Sequence, residues 1–296
     1  MQVVMALWDS WADGAVTDDR ASGQYADASA IHPIAHDGVN YQVGGALNLP
    51  RGPQGRPVFV QAGSSESGRN FAARYAEAVF TAQMEKVTAQ EFYTDVKARA
   101  ASLGRAADQV IVLPGLCPVI GSTEAEAERI WQELSDLSDE EVGRKRLSGR
   151  FGGHDFKHLP LDRPLVAGDF PDPATVQAAR SRTEVIVGLV ERERPTLRQL
   201  LRYLAGARGH FVTLGTPEQI ADLMQDWFTT GAADGFNVMP PLLPAMLGVF
   251  VDEVVPLLQK RGLFRTGYEE ETLRGHYGLY RPAVGTTRKR VLPATE

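Results

Sequence analysis

The chain has 296 residues, 43% hydrophobic and 23% charged, an ordinary globular composition with length enough to bury a sizeable core. A net charge of −6 and a pI near 5.6 argue against a nucleic-acid surface, which needs clustered Lys and Arg not offset by acids, and the one basic run is Arg288-Lys289-Arg290 near the end. The single cysteine, Cys117, excludes an internal disulfide and points to a reducing cytoplasm.

MQVVMALWDSW has no basic start and carries Asp9, so it does not read as a secretory signal. The most apolar later window, VMPPLLPAMLGVFVDEVVPLL, is broken by prolines and by Asp252 and Glu253, which argues against a membrane span. A soluble, cytoplasmic protein is expected. Val3, Val4, Leu7, Trp8 and Trp11 recur at helical spacing, so the chain opens inside an amphipathic helix without a cap. Residues 12 to 56 then carry glycines, prolines, His32 and His36 with little periodicity, apart from a possible strand at VNYQV.

From Pro57 the pattern is regular. PVFVQAG reads as a buried strand and Glu66 to Tyr75 as a helix; EAVFTA is a strand, Val87 to Leu103 a helix, and QVIVLPGLCPVIG a strand. Thr123 to Leu137 follows as a helix, with Thr123 and Glu126 as a capping box. Short apolar strands alternating with helices imply right-handed β-α-β units and a parallel sheet. Cys117, inside one of these runs, is expected to be buried and inert.

Residues 138 to 210 leave this rhythm. A Gly/Pro-rich connection, FGGHDFKHLPLDRPLVAGDFPDP, precedes helices near 175 to 193 and 196 to 206, and the segment reads as an insertion beside the sheet. His154 and His158 have i,i+4 spacing, but Gly152, Gly153 and Pro160 put them in a loop, so no zinc site is expected. The rhythm resumes with FVTLGTPEQIADLMQDWF, where Thr216 caps a helix with Pro217 at its first position. GFNVM is a further strand, Leu242 to Arg261 a closing helix, and residues 267 to 296 a peripheral tail. The strand count is four, near 57 to 61, 77 to 81, 109 to 117 and 235 to 239.

RPVFVQAGSSESGRNFAARYAE, residues 56 to 77, is a strand feeding a helix through glycine and serine. Such a junction puts first-turn amides and the positive end of the helix dipole at the carboxyl edge of the sheet, where an anion is favoured. Gly63 permits close backbone approach, and Ser64 and Ser65 add hydroxyl donors. A bound phosphate and a plain helix cap account for these residues equally. The Walker lysine and the Gly-x-Gly-x-x-Gly spacing are both missing from the stretch.

LWDSW (7 to 11), HPIAHDGVNYQVGGALNLPRGPQGRPVFVQAGSSESGRNFAARYAEAVFTAQ (32 to 83), LPGLCPVIGSTEAEA, TLRQLLRYLAGARGH, GTPEQIADLMQDWFTTGAADGFNVMPP and RGLFRTGYEEETLRGHYGL together resemble the bacterial-luciferase-like flavin monooxygenases. The likeness is to the branch of nitrilotriacetate, pristinamycin and dibenzothiophene-sulfone monooxygenases. It implies an α/β TIM-barrel fold in one partial domain spanning 1 to 296. It also implies reduced FMN as co-substrate, a partner flavin reductase, oxygen, a small organic substrate, and FMN phosphate held by Gly63, Ser64 and Ser65. Ser65 fits the recurrent serine of that pattern better than Ser64. The resemblance further implies four barrel strands ahead of LWDSW, so the chain is expected to carry the last four β-α units of a truncated enzyme. It is then expected to be inactive alone, to leave Trp8, Trp11 and the PVFVQ strand partly exposed, and to pair as a homodimer. A deazaflavin F420 oxidoreductase and a non-catalytic fragment or assembly module are the alternatives. No catalytic residue is assigned; His32, His36 and His210 read as structural or solvent-facing.

Overall fold

The computed structural model describes residues 1–176, 180–207 and 210–285. The basic run at 288 to 290 lies outside them, as do parts of the 138–210 insertion and of the 267–296 tail. The chain divides into two compact units, residues 1–59 with 267–296, and residues 60–266.

The first unit holds α1 (Gln2–Trp8), a hairpin of β1 (Val16–Asp19) and β2 (Gln24–Ala26), and a smaller one of β3 (His36–Asp37) and β4 (Gln42–Val43). Only the last was foreshadowed, by VNYQV. Ion pairs, the Asp9 ones buried and the Asp13 ones half exposed, hold this unit together. The Asp9 carboxylate, 7% exposed with its residue, meets Arg56 and Arg51, and Asp13 meets Arg51 and Arg281. Hydrogen bonding to Arg281 is the largest influence on Asp13 and brings its pKa down to about 2. Trp8 is half-buried and stacks on Phe59 at 5.6 Å, whereas Trp11, expected to be partly exposed, is only 8% exposed. The reason is local: Trp11 Nε1 donates to the Leu47 carbonyl at 2.7 Å, so residues 12 to 56 fold back over it.

The second unit is built on a parallel sheet whose order is β5 (Val60–Ala62), β6 (Ala78–Thr81), β7 (Ile111–Ile120), β8 (Phe211–Gly215), with β9 (Asn237–Val238) also on β7. FVTLG, which the strand count passed over, is thus a fifth strand. The helices are α2 (Glu66–Tyr75), α3 (Lys86–Ser102), α4 (Glu124–Asp136), α5 (Glu140–Arg150), α6 (Arg180–Glu193), α7 (Leu197–Ala207) and α8 (Pro217–Thr229). After β9 come α9 (Ala245–Val249), a π turn at Phe250–Val254 and α10 (Val255–Lys260). The closing helix is therefore not continuous. Pro256 lacks an N–H and its ring crowds the carbonyl of Asp252, and the wider turn absorbs the mismatch.

β7 carries two prolines inside a central strand, and its hydrogen bonds show why that is tolerated. Ile111 N donates to Glu77 O and Gly121 N to Gly215 O, so odd residues face β6 and then β8. Even residues face β9: Val112 N donates to Asp234 Oδ2 and Leu116 O accepts from Met239 N. Pro114 and Pro118 fall on the even side, beyond the two residues that β9 pairs, so no ladder bond to β6 or β8 is lost.

Register fixes the faces. Gln61, Val79 and Val112 are aligned, as are Ala62, Phe80 and Leu113. Val79 and Val112 pack with Ala72, Ala73, Phe92 and Val96, which places α2 and α3 on one face of the sheet. Val60 and Ala62 on the opposite face are exposed, Val60 at 64%. Residues 138 to 210 carry α5, α6 and α7, with a core of their own around Leu147, Phe151, Phe156, Ile186, Leu197 and Leu200. Among the described residues no helix is long and apolar enough to cross a membrane.

Candidate functional site

The strand β5 ends at Ala62, and the chain turns into α2 through Gly63, Ser64 and Ser65. Gly63 has φ +129°, a region that side chains with a Cβ rarely enter, so glycine is required there. Ser65 is the N-cap, its Oγ accepting from Gly68 N at 3.2 Å. A Cβ on Gly68 would lie 3.1 Å from that oxygen and 3.4 Å from Gln61 Nε2, so a second glycine keeps the turn tight. Arg69 locks it further, with Nε donating to Ser64 O at 2.9 Å and Nη1 paired to Asp95 at 2.9 Å.

Capping does not exhaust the turn. A serine hydroxyl has one donor and two acceptor sites, so Ser65 can accept from Gly68 while its O–H points elsewhere. The amides of Glu66 and Ser67 belong to the first helical turn and have no intrahelical acceptor. Glu66, which would repel an anion there, is drawn away by Arg99 at 2.6 Å, and that hydrogen bond holds its carboxyl below the usual range. The arrangement offers first-turn amides and serine hydroxyls, donors of the kind a phosphate takes, so its residues fit a phosphate. Ser64 and Arg69 also wall a cavity of about 230 Å³ with Gln83, Thr88, Glu184 and Arg192.

On the sheet face away from α2 and α3, Phe80 carries a stacked imidazole. His210 lies 4.9 Å from it, centroid to centroid, with the rings 6° from parallel. The histidine is 5% exposed, its Nδ1 has no hydrogen-bond partner, and a Cβ on Gly115 would collide with that nitrogen. Burial lowers its pKa, the Arg182 and Arg150 charges add to the lowering, and a hydrogen bond to the Thr81 backbone opposes it. A buried neutral imidazole whose Nδ1 has no partner can accept a proton or a hydrogen bond from a bound ligand.

The other candidates separate. Cys117 is 1% exposed and its thiol is pushed up to about 11 by burial, which leaves no thiolate at neutral pH. His154 and His158 sit in a loop with their rings 6.5 Å apart, and the described residues contain no group of three or more ligating side chains. His32 is exposed, and His36 is half-buried in β3. Arg69, Phe80 and Gly115 were not singled out from sequence. Arg69 was reachable, being one helical turn past the cap, whereas Phe80 and Gly115 meet His210 only through strand register.

The fold is that of an α/β protein of the barrel type, with a glycine and serine turn at the carboxyl end of a parallel strand. Residues 26–234 match the luciferase-like monooxygenase family, and the chain belongs to it. It is 45% identical over 95% of its length to the N-acetyl-S-(2-succino)cysteine monooxygenase of Bacillus subtilis, covering 63% of that protein. It is 46% identical over 95% of its length to nitrilotriacetate monooxygenase component A of Aminobacter aminovorans, covering 61% of that protein. Among solved structures, riboflavin lyase RcaE with modified FMN and riboflavin superposes with a TM-score of 0.80 at 29% identity, over 97% of this chain and 62% of that one. The chain thus spans about three fifths of the relatives it matches.

Proposed function

We propose that the chain belongs to an oxygenase that uses reduced FMN supplied by a partner flavin reductase, with the FMN phosphate on Gly63, Ser64 and Ser65. The single observation that carries this is the strained Gly63 turn opening α2, which sits where the family resemblance puts the phosphate. Bound reduced FMN supplies the oxygen chemistry. The residues of this chain hold and orient it: the first-turn amides and Ser65 take the phosphate, and Arg69 fixes the turn. His210, neutral because it is buried, is placed to hold or pass one proton on the sheet face opposite α2 and α3.

The substrate we infer carries carboxylate groups. Two relatives named for polyacidic substrates, a succinocysteine and nitrilotriacetate, support this class.

The test supplies a flavin reductase, FMN, NADH and oxygen with thioether and amine carboxylates. It is run on the 296-residue chain and on a protein extended to the full length of the relatives. Oxidation that requires FMN is expected from the longer protein, and none above the free-flavin rate from the shorter. Turnover with F420 alone, or product without any flavin, would remove the reading.

A further inference from the structure

A second cavity lies away from the Gly63 turn. It is a cleft of about 780 Å³ between the end of α4, α5 and α7. Its floor is apolar: Leu147, Leu201 and Leu204 are 1%, 5% and 7% exposed. Its walls are charged, and the acids on them are already committed. Asp136 is paired to Arg202 at 2.7 Å, Glu140 is paired to Arg198, and Asp139 caps α5 by accepting from Val142 N at 2.8 Å. Arg146 also lines the cleft and, among the described residues, no carboxylate lies within ion-pair distance of it. Arg150 stands one turn further along the same wall. Ser135, 5% exposed, lines the cleft with an Oγ that has no hydrogen-bond partner.

A buried hydroxyl without a partner costs free energy that a ligand recovers, and a concave site of this size with an apolar floor and few polar groups suits a small molecule. We propose that this cleft binds an amphipathic organic monocarboxylate. Its apolar body lies on the three leucines, its carboxylate meets Arg146, and the Ser135 O–H donates to it or to a polar group along its length. The site is separate from the Gly63 turn and does not depend on flavin.

The experiment is calorimetric titration of the 296-residue chain with decanoate, and with decanol and decyltrimethylammonium as probes of the same length. Decanoate is expected to bind at least about tenfold more tightly than either. Arg146→Gln should abolish that preference. Gly149→Leu should remove binding altogether, because Gly149 lines the cleft, a Cβ there meets nothing within 4 Å, and leucine is the better helix former. Circular dichroism and the melting temperature confirm that both variants fold. No decanoate binding, equal binding of the three probes, or undiminished binding by folded Gly149→Leu would each overturn the proposal.

Discussion

His210 carries an ionisation that folding suppresses, and this has a sign that can be measured. Its folded pKa lies below the ordinary histidine value, so below about pH 6.5 the unfolded chain binds a proton that the folded one refuses. Stability is thus full at neutral pH and declines as pH falls below that value. His210→Gln should flatten this slope between about pH 7 and 5, read from urea midpoints at each pH. The neighbouring Gly115 tests the packing. Gly115→Ala drives a methyl into His210 Nδ1 and against Met239 Sδ, 3.0 Å away. Overpacking of this kind costs about 1–3 kcal/mol, seen as a lower urea midpoint with unchanged slope.

The β7–β9 connection depends on one carboxylate. Asp234 accepts from Val112 N at 2.7 Å, from Tyr93 Oη at 2.9 Å and from Lys97 Nζ at 2.7 Å, so it ties the strand to α3 before β9 begins. Asp234→Ala leaves the Val112 amide and the Tyr93 hydroxyl without this acceptor, while Lys97 keeps the carbonyls of Ala107 and Val110, and should cost about 2–3 kcal/mol in chemical denaturation. The same region shows what a sequence conveys. α2, with Ser65 ahead of it, was legible to the residue, because cap, helix former and apolar spacing agree. The capping box at Thr123 was half right: Thr123 Oγ1 accepts from Glu126 N at 3.2 Å, but Glu126 Oε2 reaches back to Ser122 instead. β1 to β4 were mostly illegible, since pairs of two to four largely exposed residues leave no hydrophobic period to read. His210, read as structural or solvent-facing, is buried, and its neighbours could not be read from the sequence. Phe80 and Gly115 reach it through the pairings of β6 with β7 and of β7 with β8, which no local pattern encodes.

Val60 and Ala62 on β5, whose only strand neighbour among the described residues is β6, face water on the side away from the helices. Oxygen chemistry on a reduced cofactor needs water-excluding walls around the flavin ring. Phosphate recognition is local to one turn and does not depend on those walls. Binding therefore probes the central claim more directly than turnover does. The measurement is the affinity of this chain for FMN and for riboflavin, which lacks only the phosphate, in the natural protein and in Ser65→Asp. FMN should bind at least about tenfold tighter than riboflavin, and the aspartate, by like-charge repulsion, should bring FMN down to the riboflavin level while leaving riboflavin unchanged. Equal affinity for the two flavins in the natural chain, or FMN binding that Ser65→Asp does not weaken, would contradict a phosphate site at Gly63, Ser64 and Ser65.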